Sequence, residues 1–236
     1  MLKKFLNLPI IKLTRISRPT GIFLLFLPCA FSTVLFAPIS YEQLLLFFLG
    51  SCLMRSSGCI INDIFDRDLD SAVERTKTRP LACGEISITS SLILLCFLLA
   101  AGLIILLQLN LLAIKISLFS TLMVIAYPLI KRINHFPQVF LGLTFNIGAL
   151  VAAANIFGVI PKAAIMIYIG CIFWTIAYDT VYGFMDILDD KKAGIKSLAI
   201  KIEGQRPKLW LGIFYSTFIG STISAQFLTT KEVNYY

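Results

Sequence analysis

The sequence predicts an all-α integral membrane protein. Of its 236 residues, 58% are hydrophobic and only 14% are charged, a balance that ordinary soluble domains do not reach. Apolar runs with few charges recur along the chain, and each is about 18–22 residues long, enough for a helix to cross a bilayer core of about 30 Å. Lysines and arginines collect between these runs, mostly in alternate loops, which is typical of a multi-pass protein.

Seven such runs can be separated. Of the nine prolines, only Pro28 falls in the interior of a run and not at a run's end or outside the runs, and there it predicts a kinked helix. An apolar run, an aspartate cluster and a basic loop follow one another twice, so 1–236 is predicted to be a single transmembrane domain with two pseudo-equivalent halves. The predicted spans are 20–37, 42–61, 88–107, 109–128, 138–158, 161–182 and 207–228.

Positive charge predicts the orientation of these helices. Five lysines and arginines precede the first run, and the loops after the second, fourth and sixth runs hold four, two and six more. By the positive-inside rule, the N-terminus and these three loops are cytoplasmic. The net charge of +8 then reflects topology and an anionic ligand, and nothing suggests nucleic acid. The absence of signal-peptide or transit-peptide character predicts a bacterial cell inner membrane rather than an organelle.

All eight aspartates fall in two short clusters, each beginning at the predicted cytoplasmic end of an apolar run. Carboxylates at this depth are costly in lipid and mark functional sites. Two facing acidic clusters would repel each other unless divalent cations bridged them, and oxygen-only ligands suit Mg²⁺ with a phosphorylated substrate. The alternative is that helix-end carboxylates snorkel into interfacial water. The clusters are Asp63, Asp66, Asp68 and Asp70, then Asp179, Asp186, Asp189 and Asp190.

Helical spacing selects members of the first cluster. At about 100° per residue, Asn62, Asp63, Asp66 and Asp70 fall inside an arc of roughly 100° if the helix continues through them. Asp68 points elsewhere by the same rule. Three or four oxygen ligands are therefore expected to project from this helix end toward one place.

The second cluster shows a similar stripe. Asp179, Asp186 and Asp190 are spaced i, i+7 and i+11, an arc of about 40° on a helix, and Asp189 lies roughly 80° away. An arginine inside the second span, Arg55, shares a face with the first cluster. A guanidinium at that depth is a candidate partner for a phosphate group.

Eight stretches stand in a fixed order along the chain. They are Arg15-x-x-Arg18-Pro19-x-Gly21, Asn62-Asp-x-x-Asp66-x-x-x-Asp70, Arg75-Thr-x-x-Arg79-Pro80-Leu81, Tyr127-Pro-x-x-Lys131-Arg132, His135-x-Pro137-Gln138, Tyr178-Asp179-Thr-x-Tyr182, Asp186-x-x-x-Asp190 and Asp189-Asp190-x-Lys192-x-Gly194-Ile-Lys196-Ser197. This ordered set resembles the UbiA superfamily of intramembrane aromatic prenyltransferases. The matches run in family order from about residue 15 to residue 204, so the resemblance covers most of the chain.

The resemblance implies an enzyme that binds a polyprenyl diphosphate through Mg²⁺, with the prenyl tail in a central cavity open to lipid. Departure of the diphosphate leaves an allylic cation, which the ring of a phenol attacks ortho to its hydroxyl. The implied catalytic carboxylates are Asp66, Asp70, Asp186 and Asp190. The implied metal-site residues are Asn62, Asp63, Asp66, Asp70, Asp186 and Asp190.

The resemblance also implies substrate-binding residues. Arg132 is assigned to the carboxylate of the aromatic acceptor, and Lys131 and Arg75 to diphosphate oxygens beside Arg55. For these basic residues the alternative is an ordinary positive-inside anchor. Asp179 belongs to the same substrate motif as Tyr178 and Tyr182, whose ring faces could shield the cation. Interfacial anchoring is an equally good interpretation of both tyrosines.

The stretches 15–21, 127–138 and 179–197 favour 4-hydroxybenzoate, the acceptor of ubiquinone biosynthesis, over naphthoate, homogentisate, chlorophyll and haem acceptors. The resemblance implies a fold of nine helices in a ring around a central cavity, whereas seven spans are predicted here. The last two helices are therefore expected to be absent, and a truncated inactive remnant is one alternative function. A transporter with a carboxylate relay is another, but its acids would be scattered near mid-membrane rather than clustered at one mouth.

Overall fold

The protein is described by a computed structural model that covers residues 8–38, 40–74, 76–133, 137–192 and 197–232. The side chains of residues 127–133, 186, 188–192 and 231–232 are outside this description. Every regular element within these ranges is an α-helix. This confirms the all-α prediction for the part of the chain that the structure describes.

The helices follow one another with short connections, apart from the segment that joins α4 to α5. In order they are α1 (Pro9–Thr14), α2 (Thr20–Phe36), α3 (Tyr41–Phe65), α4 (Arg67–Ala72), α5 (Ile88–Leu106), α6 (Leu111–Ile133), α7 (Pro137–Phe145), α8 (Gly148–Phe157), α9 (Lys162–Lys192), α10 (Leu198–Ile202) and α11 (Pro207–Glu232).

Each of the seven predicted runs coincides with helical structure, but their lengths differ. Within the described residues, five helical stretches are long and apolar enough to cross a membrane. Helix α2, with 17 residues, and the apolar part of α6, Leu111–Ala126, are shorter. At about 1.5 Å per residue, α2 covers only about 25 Å of a bilayer core of about 30 Å. The five are Tyr41–Phe65, Ile88–Leu106, Pro137–Phe157, Lys162–Met185 and Pro207–Thr230.

Two runs depart from the prediction. The fifth run is not one helix, because α7 ends at Phe145 and α8 begins at Gly148. The side-chain amide of Asn146, at this break, donates to Gly142 O and to Thr175 Oγ1, both at 2.7 Å. An asparagine that bonds backbone carbonyl groups in this way competes with the helix. The sixth run is longer than predicted, because α9 continues to Lys192.

The chain divides into two compact units. The first comprises Met1–Leu27 and Tyr41–Leu109. In it α3 packs against α1 and α5, around a core of Leu13, Ile60 and Leu81 that is covered by leucines and isoleucines of α3, α5 and the α4–α5 segment. This core fixes α1 and the α4–α5 segment beside the cytoplasmic end predicted for α3. That end carries the first aspartate cluster.

The second unit comprises Pro28–Ser40 and Asn110–Tyr236. Its long helix α9 packs against α7, α8 and α11. Small residues of α8 and α9 are fully buried, which lets these helices approach closely. Three aromatic rings, Phe31, Trp174 and Phe218, pack together, and the rings of Trp174 and Phe218 stack at 6.0 Å between centroids. The prediction of one domain with related halves stays a prediction.

Candidate active site

The first aspartate cluster lies where α3 gives way to α4. Helix α3 ends at Phe65 and α4 begins at Arg67, because Asp66 has φ −96° and ψ 3°, away from helical values. The assumption of one continuous helix was therefore wrong at Asp66. Hydrogen bonds from Asp66 N to Asn62 O (2.9 Å) and from Asp70 N to Asp66 O (2.7 Å) nevertheless keep the four-residue spacing across the break.

Burial separates the four aspartates as their spacing predicts. Asp63, Asp66 and Asp70 have relative exposures of 1%, 6% and 7%, whereas Asp68 is exposed. Asn62 is half-buried. The three aspartates that helical spacing groups together are thus the buried ones. Because burying an ionised carboxylate is costly unless it is paired, the charges that face this cluster decide what it can bind.

Two arginines provide part of that countercharge. Arg15 Nη2 lies 2.5 Å from Asp63 Oδ1, and Arg79 Nη1 lies 3.2 Å from the same oxygen. Arg79 Nη1 also lies 2.6 Å from Asp70 Oδ2. Neither arginine was predicted as a site residue, although both lie in stretches that match family motifs. The missed signal was that a buried carboxylate requires a cationic partner from elsewhere in the sequence.

Local structure places both arginines at the cluster. Arg15 ends α1 in a left-handed conformation with φ 56°, and its N–H donates to Lys12 O. The preceding Leu13 is fully buried against the core of the first unit. On the other side, Thr76 Oγ1 donates to Asp70 O at 3.1 Å, and Arg79 N donates to Thr76 O at 2.9 Å. The segment after α4 is thereby folded back so that Arg79 reaches two aspartates.

Arg55 lies inside the second predicted span, and its guanidinium packs directly on the backbone of Gly21 in α2. A β-carbon on Gly21 would overlap Arg55 Nε and lie 2.9 Å from Cζ. Only a glycine leaves room for this guanidinium at position 21. The sequence had singled out both residues, Arg55 for its depth in the span and Gly21 as part of a motif, without indicating that they touch.

The second cluster lies on α9. The helix is continuous from Lys162 to Lys192, so the helical spacing assumed for Asp179, Asp186 and Asp190 holds for the backbone. Tyr178 and Asp179 are half-buried and Tyr182 is exposed. The ring of Tyr178 meets Trp174 edge to face, with centroids 5.4 Å apart. The side chains of Asp186 and Asp190 lie outside the described residues.

Three predicted basic site residues also lie outside the description. Arg75 is not described at all, and the side chains of Lys131 and Arg132 are outside the described set although their backbone belongs to α6. Their assignments to diphosphate and to the acceptor carboxylate stay predictions.

The donor set of the first cluster fits a hard cation. Asn62, Asp66 and Asp70 offer only amide and carboxylate oxygens, which are the ligands that Mg²⁺ prefers. Within the described side chains, no group of three or more histidines, cysteines or carboxylates is close enough to hold a metal ion on its own. Mg²⁺ usually keeps several waters and is bound through one or two carboxylates plus substrate phosphates, so these oxygens would be part of its ligand set.

Comparison with known proteins points to one family. The sequence profile of the UbiA prenyltransferase family matches residues 23–235. The mitochondrial 4-hydroxybenzoate polyprenyltransferase of Aedes aegypti is 42% identical over 241 residues, which cover 100% of this chain and 54% of that protein. The 4-hydroxybenzoate octaprenyltransferase of Shewanella sp. (strain MR-4) is 43% identical over 205 residues, covering 86% of this chain and 71% of that protein.

A solved structure of a UbiA homolog from Archaeoglobus fulgidus bound to DMAPP and Mg²⁺ has a TM-score of 0.70 at 18% sequence identity. The match covers 96% of this chain and 85% of that one, and at this identity it shows the fold alone. The chain spans little more than half the length of the mosquito relative.

Proposed function

The chain belongs to the UbiA prenyltransferase family, and from this premise we propose that it transfers a polyprenyl group from a polyprenyl diphosphate to 4-hydroxybenzoate. The carbon–oxygen bond to the diphosphate breaks, the new carbon–carbon bond forms ortho to the phenol hydroxyl, and the ring proton at that carbon is released. This is the prenylation step of ubiquinone biosynthesis. Two relatives above 40% identity, from an insect and a bacterium, carry names that specify the 4-hydroxybenzoate acceptor.

One structural observation carries the proposal: three aspartates are buried at the end of an apolar helix. Asp63, Asp66 and Asp70 are buried there, and Arg15 and Arg79 lie beside Asp63 and Asp70. Buried carboxylates at a membrane surface are retained for function because lipid and packing disfavour them. Acidic oxygens beside guanidinium groups can bind a cation together with its anionic substrate, as a metal diphosphate requires.

The residues that would hold Mg²⁺ are Asn62, Asp66 and Asp70 around the junction of α3 and α4, with Asp186 and Asp190 on α9. When bound, the ion neutralises charge on the departing diphosphate. The carboxylates would fix the position of the ion. Arg55 binds diphosphate oxygens through its guanidinium, for which Gly21 leaves space. Arg75 and Lys131 complete the diphosphate site.

The acceptor and the allylic cation need different groups. Arg132 binds the carboxylate of 4-hydroxybenzoate, because a planar guanidinium matches a carboxylate in two hydrogen bonds. Tyr178 and Tyr182 turn ring faces toward the allylic cation, and the edge-to-face contact with Trp174 holds the ring of Tyr178. Asp179, one residue further along α9, belongs to the same substrate-binding motif.

We also propose a location. Lysines and arginines before the first span and in the three basic loops support an active-site mouth on the cytoplasmic side of a bacterial inner membrane, with the lipid bilayer as the source of the prenyl substrate. The mosquito relative is named as mitochondrial and the Shewanella relative is bacterial. The test is to express the chain with reporter fusions after α5 and after α9 and determine on which side of the membrane each reporter lies.

The activity is tested in membranes from cells that lack their own 4-hydroxybenzoate prenyltransferase. Membranes with the chain are incubated with labelled 4-hydroxybenzoate, Mg²⁺ and prenyl diphosphates of several lengths, and lipid-soluble product is measured with and without EDTA. Mg²⁺-dependent product above the level of Asp66→Asn membranes is expected. Arg132→Ala should raise KM for 4-hydroxybenzoate far more than KM for the diphosphate. Product with another aromatic acceptor alone, or none from folded protein, would contradict the proposal.

A further inference from the structure

We propose that Asp63 is a positioning residue and not a metal ligand: it holds the guanidinium of Arg79, and Arg79 in turn fixes the carboxylate of Asp70. The inference rests on the proposed function, because it assigns Asp70 to the cation site. It revises the sequence-based assignment of Asp63 to the metal, and it gives Arg79 a role that the motifs alone did not indicate.

The first argument is the environment of Asp63. Its side chain is 2% exposed, and one of its oxygens, Oδ1, faces Arg15 Nη2 at 2.5 Å and Arg79 Nη1 at 3.2 Å. A Mg²⁺ ion binds oxygen at about 2.1 Å, so an ion on this oxygen would lie within a few ångströms of two guanidinium groups. Repulsion between these charges in a buried place is large. Asp70 differs, because it faces one guanidinium group instead of two and its side chain is 10% exposed. Asp63 therefore holds the arginines, and the cation binds elsewhere on the cluster.

The second argument is that Arg79 is shared. Its Nη1 atom lies 3.2 Å from Asp63 and 2.6 Å from Asp70 Oδ2, although the two aspartates are seven residues apart. A guanidinium held by a buried carboxylate has little freedom, so it holds Oδ2 of the second carboxylate in place. With Oδ2 of Asp70 occupied in this way, Oδ1 is the oxygen offered to a cation.

The third argument is a hydrogen bond that holds the segment carrying Arg79 against Asp70. Asp70 O accepts a hydrogen bond from Thr76 Oγ1 at 3.1 Å, so the backbone of Asp70 and the segment that carries Arg79 are tied at a second point. Groups that orient a metal ligand in this way change cation affinity or activity by about 10–100-fold when they are removed, whereas loss of a ligand is more severe. Asp63 and Arg79 are expected to behave as orienting groups and not as ligands.

The test measures cation binding as well as activity. The full chain in detergent is titrated with Mn²⁺ in the presence of geranyl diphosphate, and free Mn²⁺ is followed by electron paramagnetic resonance. Asp63→Asn and Arg79→Gln should each weaken Mn²⁺ binding by about 10-fold, and Asp66→Asn should abolish it. The double variant should bind no more weakly than the weaker single variant, because the two residues act as one unit. Arg79→Lys should recover part of the loss.

A matched control lies on the same segment. Lys77 is a half-exposed cation paired only with Glu74 among the described ion pairs, at 2.7 Å, so Lys77→Gln should leave Mn²⁺ affinity unchanged. Abolished binding in Asp63→Asn would make Asp63 a ligand, and unchanged binding would remove its positioning role; either result overturns the inference. If Arg79→Gln does not fold, Arg79→Lys and Asp63→Asn decide. A chain with the expected Mn²⁺ pattern that transfers no prenyl group would overturn the proposed function alone.

Discussion

Gly21 and Arg55 lie so close together that a β-carbon at position 21 would displace the guanidinium. A β-carbon there would lie 2.9 Å from Arg55 Cζ and closer still to Nε. Gly21 lies in the first turn of α2 and Arg55 in the middle of α3, and both belong to the first compact unit. The glycine thereby determines where a guanidinium inside the membrane can lie.

Gly21→Ala is therefore expected to displace Arg55 and to raise KM for the prenyl diphosphate by about 10-fold or more, since a hydrogen bond to a charged group contributes about 1.5–3 kcal/mol. The measurement is a steady-state titration with the diphosphate at saturating 4-hydroxybenzoate. Gly50→Ala is the control, because its β-carbon would meet Ile105 Cγ2 at an ordinary 3.7 Å. Similar KM values for the two variants would mean that Arg55 does not bind the diphosphate.

Asp66 and Asp68 provide a matched pair of carboxylates two residues apart. Asp66 is buried on the face of the cluster and Asp68 is exposed. Asp66→Asn is expected to lower kcat by more than 100-fold, as removal of a catalytic charge does, while Asp68→Asn should stay within about twofold because exposed substitutions rarely matter. Prenyl transfer at saturating Mg²⁺ is the readout. A large loss in Asp68→Asn would place the cation on the other face.

Tyr178 allows the ring and the hydroxyl to be separated. Its ring packs edge to face on Trp174 at 5.4 Å. If the ring face shields a cation, Tyr178→Phe should keep kcat within about threefold, whereas Tyr178→Leu should lose about 10-fold, because such an interaction contributes about 1–2 kcal/mol. Rates are measured together with the proportion of water-quenched prenol. Equal rates for Phe and Leu would reduce Tyr178 to an interfacial anchor.

The bond between Asn146 and Thr175 joins the break after α7 to α9. Asn146 Nδ2 donates to Thr175 Oγ1 at 2.7 Å, and both residues are buried. Thr175→Val keeps the shape and removes the acceptor, so the free energy of unfolding should fall by about 0.6–2 kcal/mol, the range for hydrogen bonds between membrane helices. Thr217→Val is the control, because Thr217 Oγ1 donates within its own helix to Ile213 O. Denaturation in mixed micelles checks this, and equal losses would contradict it.

Much of the fold follows from the sequence for a simple reason. In lipid a backbone must satisfy its hydrogen bonds within its own segment, so an apolar run of sufficient length becomes a helix. Backbone hydrogen bonds also keep the four-residue spacing around Asp66, and the helical repeat places Asp66 and Asp68 on different faces; Asp66 is buried and Asp68 is exposed. These features depend on local spacing only, and local spacing can be read without knowing which helices are neighbours.

What could not be predicted depends on partners distant in sequence. Arg15 and Arg79 reach Asp63 across 48 and 16 residues, and nothing local to either arginine indicates that contact. The break at Asn146 depends on Thr175, which lies on another helix. The bend at Asp66 accompanies the backbone bonds that preserve the four-residue spacing. Each of these features is produced by tertiary packing that overrides local preference.

The alanines of α8 and the leucines of α5 would respond to random mutation in opposite ways. Ala149, Ala152, Ala153 and Ala154 are completely buried, so a larger side chain overpacks the second unit at a cost of about 1–3 kcal/mol. Along Ile88–Leu106, by contrast, only 6% of the most apolar window is buried, so many side chain sizes fit as long as they are apolar. In a saturation library selected for folded protein, the substitutions that survive along α8 should therefore be limited by side-chain volume, and those along α5 by side-chain polarity. The two apolar stretches would therefore differ in the substitutions they tolerate, because side-chain size limits one and side-chain polarity limits the other.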